Sequence, residues 1–256
     1  MENFEMEKYA AIVLAAGKGT RMGDVNGSSI PKVMHQFAGA PIIDHCLDKI
    51  RKAGVNEIIL VVGYKKEMVC EHFGDKVRYA IQEEQLGTGH AVLMAEKIIK
   101  DEPVEGVVVC YGDMPLFKPE TINKLINLFE KEKPTIAMLT ADLENPFNYG
   151  RIIRDENGNV LENIEEKDCD EEQKKIKETN PCFYIFQNGW LWENLKKLGT
   201  GNSQNEYYLT DLIKMANDQG GRVVALKVSE ESEAIGINTQ DQLKEAEEIL
   251  RQRQNQ

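Results

Sequence analysis

The feature that most limits what this chain can fold into is its alternation of short apolar runs with helix-period stretches. Residues 10–14, 58–62, 77–81, 107–111 and 136–140 read as buried strands, with little or no polar face. Between them, residues 41–53 place Ile42, Ile43, Cys46, Leu47 and Ile50 on one helical face and stop at Gly54. Residues 91–100 turn Val92, Ala95, Ile98 and Ile99 inward, and residues 119–131 open on Pro119 and carry Ile122, Leu125, Ile126 and Phe129. Buried strands spaced by helices predict an α/β fold, a mostly parallel sheet covered on both faces.

From Gly150 the pattern loosens. Residues 151–154 and 159–164 flank Asp155-Glu156-Asn157-Gly158, and Asn-Gly between extended runs predicts a β-hairpin. The charged run 165–178 reads as a solvated loop with a short helix. Beyond it come a strand at 182–186, helices at 190–198 and 207–219, a strand at 223–228 and a charged helix at 239–253. No repeat or low-complexity linker interrupts the chain, so residues 1–256 are read as a single domain.

Charge narrows the partners. Lys and Arg number 31 against 43 Asp and Glu, a net charge of −12 that repels nucleic acid and anionic membranes. No apolar run reaches the roughly 18–20 residues of a membrane span. The acidic start, Met1-Glu2-Asn3-Phe4-Glu5, lacks the basic region of an export signal. The five cysteines (46, 70, 110, 169 and 182) form no Cys-x-x-Cys pair and read as reduced thiols, so a cytoplasmic location is expected. Asn26-Gly27-Ser28 matches a glycosylation pattern, by chance in a chain without an export signal.

After the first strand comes Leu14-Ala15-Ala16-Gly17-Lys18-Gly19-Thr20-Arg21-Met22. Small residues there allow backbone N–H groups to approach an anion, and Lys18 and Arg21 add positive charge. A tight strand-to-helix turn would look the same. It is not a dinucleotide fingerprint, because Met22 stands where the third glycine belongs, and no Gly-Lys-Ser/Thr ends a Walker loop.

The loop followed by Pro31-Lys32 resembles the signature of the sugar-1-phosphate nucleotidyltransferases. The agreement continues in order through Gln82-Glu83-Glu84-Gln85-Leu86-Gly87-Thr88-Gly89-His90-Ala91, Tyr111-Gly112-Asp113-Met114-Pro115-Leu116, Tyr149-Gly150-Arg151-Ile152, Glu165-Glu166-Lys167-Asp168, Glu206-Tyr207-Tyr208-Leu209-Thr210-Asp211 and Gly236-Ile237-Asn238. It is similar above all to the uridylyltransferase domain of bacterial N-acetylglucosamine-1-phosphate uridyltransferases. The resemblance implies a nucleotide-diphospho-sugar transferase fold: a Rossmann-like, mostly parallel mixed sheet with a β-hairpin sugar-binding region. It further implies a nucleotide-binding part over about 9–148, a sugar-binding part over about 149–238 and a terminal helix over 239–256.

The implied reaction is transfer of UMP from UTP to N-acetylglucosamine 1-phosphate, with Mg²⁺ as cofactor. Positioning and charge neutralisation carry such chemistry. By resemblance Arg21 and Lys32 are catalytic cations on the phosphates, both expected to face solvent without ligand, and Asp113 and Asn238 hold the metal. Leu14, Ala15, Ala16, Gly17, Gln82, Gly87 and Thr88, with Lys32, line the nucleotide site. Gly150, Glu165 and Asn180 contact the sugar, with Tyr208 beside its acetyl group. Each residue has a plainer alternative: a surface charge for Arg21 or Lys32, a turn cap for Asp113, a helix cap for Asn238, a core position for Tyr208. Gln85 is expected to face solvent and His90 to order its loop rather than act as a base.

Two segments depart from the family pattern. The loop 23–30, between the two cations, is longer, and Pro181-Cys182 follow Asn180 where Thr-Gly is usual. The absence of hexapeptide repeats predicts uridylyl transfer alone, as a monomer or dimer and without a β-helix trimer. The alternatives are another sugar phosphate or nucleotide, or a non-catalytic nucleotide-sugar sensor of this fold.

Overall fold

The computed structural model describes residues 8–23 and 29–254, so most of the loop 23–30, with Asn26-Gly27-Ser28, lies outside the described residues. Its strands are β1 (Tyr9–Leu14), the two-residue β2 (Gln36–Phe37) and β3 (Ala40–Pro41), β4 (Glu57–Val62), β5 (Arg78–Ile81), β6 (Gly106–Tyr111), β7 (Ile136–Asp142), β8 (Gly150–Arg154), β9 (Val160–Ile164), β10 (Glu178–Asn180), β11 (Phe183–Gln187) and β12 (Val223–Lys227). The helices are α1 (Ile42–Lys52), α2 (Lys66–Phe73), α3 (Thr88–Leu93), α4 (Glu96–Ile99), α5 (Pro119–Glu132), α6 (Asn188–Leu195), α7 (Asp211–Asp218) and α8 (Gln240–Gln254).

Strands β5, β4, β1 and β6 are neighbours and parallel. β11 lies antiparallel between β6 and β7, and β12 pairs parallel with β7. The β8–β9 hairpin joins the same ten-stranded sheet through β10, while β2 and β3 form a separate ribbon. After β1 the chain builds outward through β4 and β5, then returns to the other side of β1 as β6. That reversal opens a crevice at the carboxyl ends of β1 and β6, where open α/β sheets bind ligands.

The two faces of the sheet carry separate cores because side chains alternate along a strand. Ala11 and Val13 of β1 join one core with α1 and α5, while Ala10 and Ile12 join the other with α3, α6 and α7. A third cluster lies under α8, where Met22, Ile42, Leu116, Ile237 and Ala246 pack together. Met22 (1% exposed) and Ile237 (0%) are the chain neighbours of Arg21 and Asn238. Burying side chains of this size stabilises by about 1.5–3 kcal/mol each, so the loops that carry those polar groups are firmly seated.

Local differences from the expected elements have tertiary causes. The helix expected at 91–100 is two pieces, because Ala95 N–H bonds to Val92 O at 3.0 Å and tightens the turn. α7 begins at Asp211 rather than 207, since Tyr207 O, which would accept the first helical bond, accepts instead from Gly89 N–H at 2.8 Å. β10 (Glu178–Asn180) begins at the last residue of the charged run and exists through its pairing with β7 and β8. α2 was not expected, and among its eight residues only Val69 and Phe73 are buried. No helix is long and apolar enough to cross a membrane among the described residues.

Candidate active site

The glycine-rich loop leaves β1 at Leu14, and Ala15 N–H bonds to Val61 O of β4 at 2.8 Å. Gly19 has φ +64°, and a Cβ there would stand 2.4 Å from Lys32 Cβ. The missing side chain allows Lys32 to pass the loop and reach the crevice. Opposite, Gly112 N–H bonds to Leu14 O at 3.0 Å, which sets Asp113 just beyond the end of β6. Ile237 N–H bonds to Asp113 O at 3.0 Å and brings Asn238 alongside.

Four residues spread over the sequence therefore converge. Lys32 Nζ pairs with Asp113 Oδ2 and donates to Asn238 Oδ1 at 2.9 Å, and Arg21 Nη2 donates to the same amide oxygen at 3.1 Å. The expectation that both cations face solvent holds for Arg21 and fails for Lys32, whose side chain is 19% exposed beside an Asp113 side chain at 7%. The carboxylate draws the ammonium into the crevice, and the gap at Gly19 makes room for it. Asn238 is not the cap of α8. Thr239 Oγ1 accepts from Gln242 N–H (3.2 Å) and Gln242 Oε1 accepts from Asn238 N–H (2.8 Å), which leaves the Asn238 amide to the crevice.

Asp113 Oδ1 is buried and has no partner among the described residues. A carboxylate oxygen and an amide oxygen side by side suit a hard divalent cation, which takes oxygen ligands and completes its shell with water and phosphate. Among the described residues no cluster of three His, Cys, Asp or Glu could cage an ion, so the protein would supply only part of the coordination.

Two clefts of about 230 Å³ each meet at this point. The first is lined by Leu14, Ala15, Ala16, Gly17, Lys32, Gln82, Gly87 and Thr88, every residue expected on the nucleotide side. Gln85 also lines it, and its Nε2 donates to Ala16 O at 2.6 Å, so this residue bridges the cleft walls instead of only facing solvent. Glu206, Val33 and Ala91 complete the wall. The residue types alone do not mark them as site residues, although Glu206 opens one of the motifs and Ala91 closes another.

The second cleft is lined by Arg21, Lys32, Asp113, Gly150, Glu165, Asn180 and Asn238, with Tyr149, Pro181, Cys182 and an exposed Phe147. A Cβ on Gly150 would stand 2.4 Å from both terminal atoms of Asn163. Asn163 Nδ2 (3.1 Å) and Thr210 Oγ1 (3.0 Å) both donate to Glu165 Oε1 and orient its carboxylate. Burial pushes the Glu165 carboxyl above the usual range; the Thr210 and Asn163 hydrogen bonds oppose this, and Asp211 and Asp168 reinforce it. Asn180 is held from both ends, Oδ1 accepting from Cys182 N–H at 2.9 Å and Nδ2 donating to Tyr184 Oη. Neither Asn163 nor Thr210 was singled out from sequence, since only the fold aims them at Glu165.

Tyr208 corrects the sequence reading. It lines neither cleft and is 6% exposed, with its hydroxyl accepting from Gln204 Nε2 (2.8 Å) and donating to Asp168 Oδ2 (3.3 Å). Its role is to tie two surface loops together. Leu209 N–H bonding to Thr88 turns this segment toward the first cleft and carries Tyr208 away from the second.

The two clefts share Lys32, Tyr111 and Asp113. The clefts thus meet at one point of positive charge beside one metal-suited oxygen pair. The chain belongs to the nucleotidyl transferase family, whose description matches residues 10–252. Within that family it is 42% identical over 252 residues to the bifunctional protein GlmU of Caldanaerobacter subterraneus subsp. tengcongensis, covering 98% of this chain and 53% of that protein. It is 45% identical over 249 residues to the bifunctional protein GlmU of Acetivibrio thermocellus, covering 97% and 53%. The chain thus spans about half the length of the curated relatives it matches. Among solved structures, a UDP-glucose pyrophosphorylase complexed with UDP-glucose superposes with a TM-score of 0.79 at 20% identity, covering 97% of this chain and 100% of that one. The fold is the nucleotide-diphospho-sugar transferase fold.

Proposed function

We propose that this chain transfers UMP from UTP to N-acetylglucosamine 1-phosphate, giving UDP-N-acetylglucosamine and pyrophosphate. The observation that carries the reading is the meeting of two clefts at Lys32, Tyr111 and Asp113, one built from the nucleotide motifs and the other from the sugar motifs. In this reading residues 9–148 supply the nucleotide side and 149–238 the sugar side, and α8 (Gln240–Gln254) braces the Asn238 loop.

Leu14, Ala15, Ala16, Gly17, Gln82, Gly87 and Thr88 hold the uridine and the first phosphate. Gly150, Glu165 and Asn180 hold the sugar, with the free oxygen of Glu165 accepting from a hydroxyl. An oxygen of the sugar phosphate attacks the α-phosphorus of UTP in line, and the bond to the bridging oxygen breaks as pyrophosphate leaves. Lys32 and Arg21 neutralise charge on the phosphates: the lysine as a compact point charge, the guanidinium as a fork across two oxygens. Asp113 and Asn238 would hold Mg²⁺, which supplies charge neutralisation at the reacting phosphates. The enzyme works in the cytoplasm on these small molecules.

A pyrophosphate-release assay over a matrix of nucleoside triphosphates and sugar 1-phosphates, with and without Mg²⁺, tests this. UTP with N-acetylglucosamine 1-phosphate should exceed UTP with glucose 1-phosphate by about 10²-fold or more in kcat/KM, since a site built to hydrogen-bond a group rejects analogues lacking it. Comparable rates for the two sugars overturn the sugar assignment. No release with any pair overturns the enzymatic one.

A further inference from the structure

Gln82 is 4% exposed and forms part of the first cleft's wall. Its side chain is a primary amide, with two N–H donors and one carbonyl oxygen. One amide atom lies 3.1 Å from the Gly87 carbonyl oxygen, which can only accept, so that atom is the nitrogen. The same nitrogen lies 3.1 Å from His90 Nδ1. Nδ1 is therefore the accepting nitrogen of the ring, and the ring proton sits on Nε2. Both amide hydrogens are used inside the protein, and the oxygen alone is left for a ligand.

The two acceptors are themselves fixed. Gly87 has φ +113°, and a Cβ there would stand 2.6 Å from Tyr207 O, so this backbone position admits only glycine. His90 sits in α3, whose start is pinned by Gly89 N–H bonding to Tyr207 O at 2.8 Å and by Leu209 N–H bonding to Thr88 Oγ1. Turning the Gln82 amide over would set its oxygen against the Gly87 oxygen and the His90 lone pair at once.

We propose that His90 is a positioning residue for base selectivity, holding Gln82 with Gly87 so that the amide oxygen faces the cleft and the site takes only bases that present a ring N–H donor. The inference rests on the uridylyl-transfer reading and adds the reason for the base. Uracil and thymine carry a hydrogen on N3 and can donate it to this oxygen. Cytosine carries a lone pair on N3, which would meet the Gln82 oxygen with neither group satisfied. The Nδ1 lone pair is occupied by the amide, so His90 takes no proton from substrate.

The test measures kcat and KM for UTP, CTP and N3-methyl-UTP with a fixed sugar 1-phosphate, in the unaltered protein, His90→Leu and His90→Asn. Leucine has the shape of asparagine without its acceptor, while the asparagine oxygen falls near the place of Nδ1. The unaltered protein should prefer UTP to both other nucleotides by at least ~10²-fold. His90→Leu should lose about tenfold of the UTP-over-CTP preference, on the order of one hydrogen bond, through the KM for UTP. Its sugar-phosphate KM and its kcat should hold, and His90→Asn should keep the preference. A folded His90→Leu protein with full preference overturns the proposal, as does His90→Asn behaving like leucine. So does an unaltered protein that uses N3-methyl-UTP or CTP as well as UTP. Should His90→Leu not fold, the other two arms still decide. No turnover with any nucleotide in the unaltered protein counts instead against uridylyl transfer itself.

Discussion

Replacing Lys32 with methionine should destabilise the protein as well as inactivate it. Lys32→Met keeps most of the aliphatic stem beside Gly19 and removes only the charge. It leaves Asp113, with a side chain 7% exposed and Oδ1 already without a partner among the described residues, as a buried carboxylate that has lost its cation. Breaking a buried pair from one side costs about 3–5 kcal/mol. Because the Lys32 side chain is still 19% exposed, the lower end applies, ~3 kcal/mol. At about 2–4 °C per kcal/mol for a chain of this size, Tm should fall by roughly 6–12 °C. The assay is urea unfolding followed by circular dichroism, on Lys32→Met, Asp113→Asn and the double variant. Asp113→Asn should restore most of the stability lost in Lys32→Met, because the uncompensated charge is gone. Activity should fall by at least ~10²-fold in kcat/KM, typical of losing one preorganised charge contact. Should Lys32→Met unfold at the same urea concentration and with the same slope as the parent, the pair would have no net worth and the argument from burial would be wrong. A double variant no more stable than Lys32→Met would place the loss in packing instead.

Other predictions address the remaining walls of the site. Asp113→Asn and Asn238→Ala should each abolish Mg²⁺-supported pyrophosphate release while the circular dichroism spectrum stays native, and near-normal turnover in both would remove them from metal binding. Burial raises the Glu165 carboxyl above its unfolded value, so its favourable contribution is present below the ordinary glutamate pKa of about 4.3 and is lost as pH rises through the folded value. Glu165→Gln should therefore be more stable than the parent at pH 7, with the difference vanishing in acid, and should raise the sugar-phosphate KM with UTP KM unchanged; thermal melts across pH and initial-rate kinetics check both. Cys182 holds φ +57°, so Cys182→Gly should gain about 1–2 kcal/mol in denaturant unfolding by relieving a left-handed backbone. Desolvation pushes the thiol of the half-buried Cys182 up to about 12, so it should be alkylated slowly at pH 8 in the folded protein, and rapid labelling there would contradict the raised thiol.

Much of the architecture was legible because buried strands and amphipathic helices repeat a simple period. The strand–helix alternation to residue 140 predicted the parallel half of the sheet, and Asn157-Gly158 predicted the β8–β9 hairpin. Elements whose existence depends on a distant partner were not legible. β10 is three residues at the end of a charged run, Glu178–Asn180, that become a strand only between β7 and β8. The carbonyl that would open the helix expected at 207 accepts from Gly89 N–H instead, more than a hundred residues away in sequence. Propensity and periodicity read neighbours along the chain, and these contacts are not neighbours.

The site divides in the same way. The sequence by itself determined which residues stand out as candidates: the glycine loop, Arg21, Lys32, Gln82, Asp113, Glu165 and Asn238 are all marked by local motifs. Only the tertiary structure decided how they act on one another. It took Lys32 out of solvent and set it on Asp113, freed the Asn238 amide by giving the cap of α8 to Thr239, moved Tyr208 off the cleft, and placed Asn163 and Thr210 behind Glu165. Charge state, orientation and burial are set by groups that meet across the fold at about 3 Å, and a hydrogen bond falls off within a fraction of that distance. A motif can name the donors and acceptors, but only the packed sheet and the helix closing over it bring them within range.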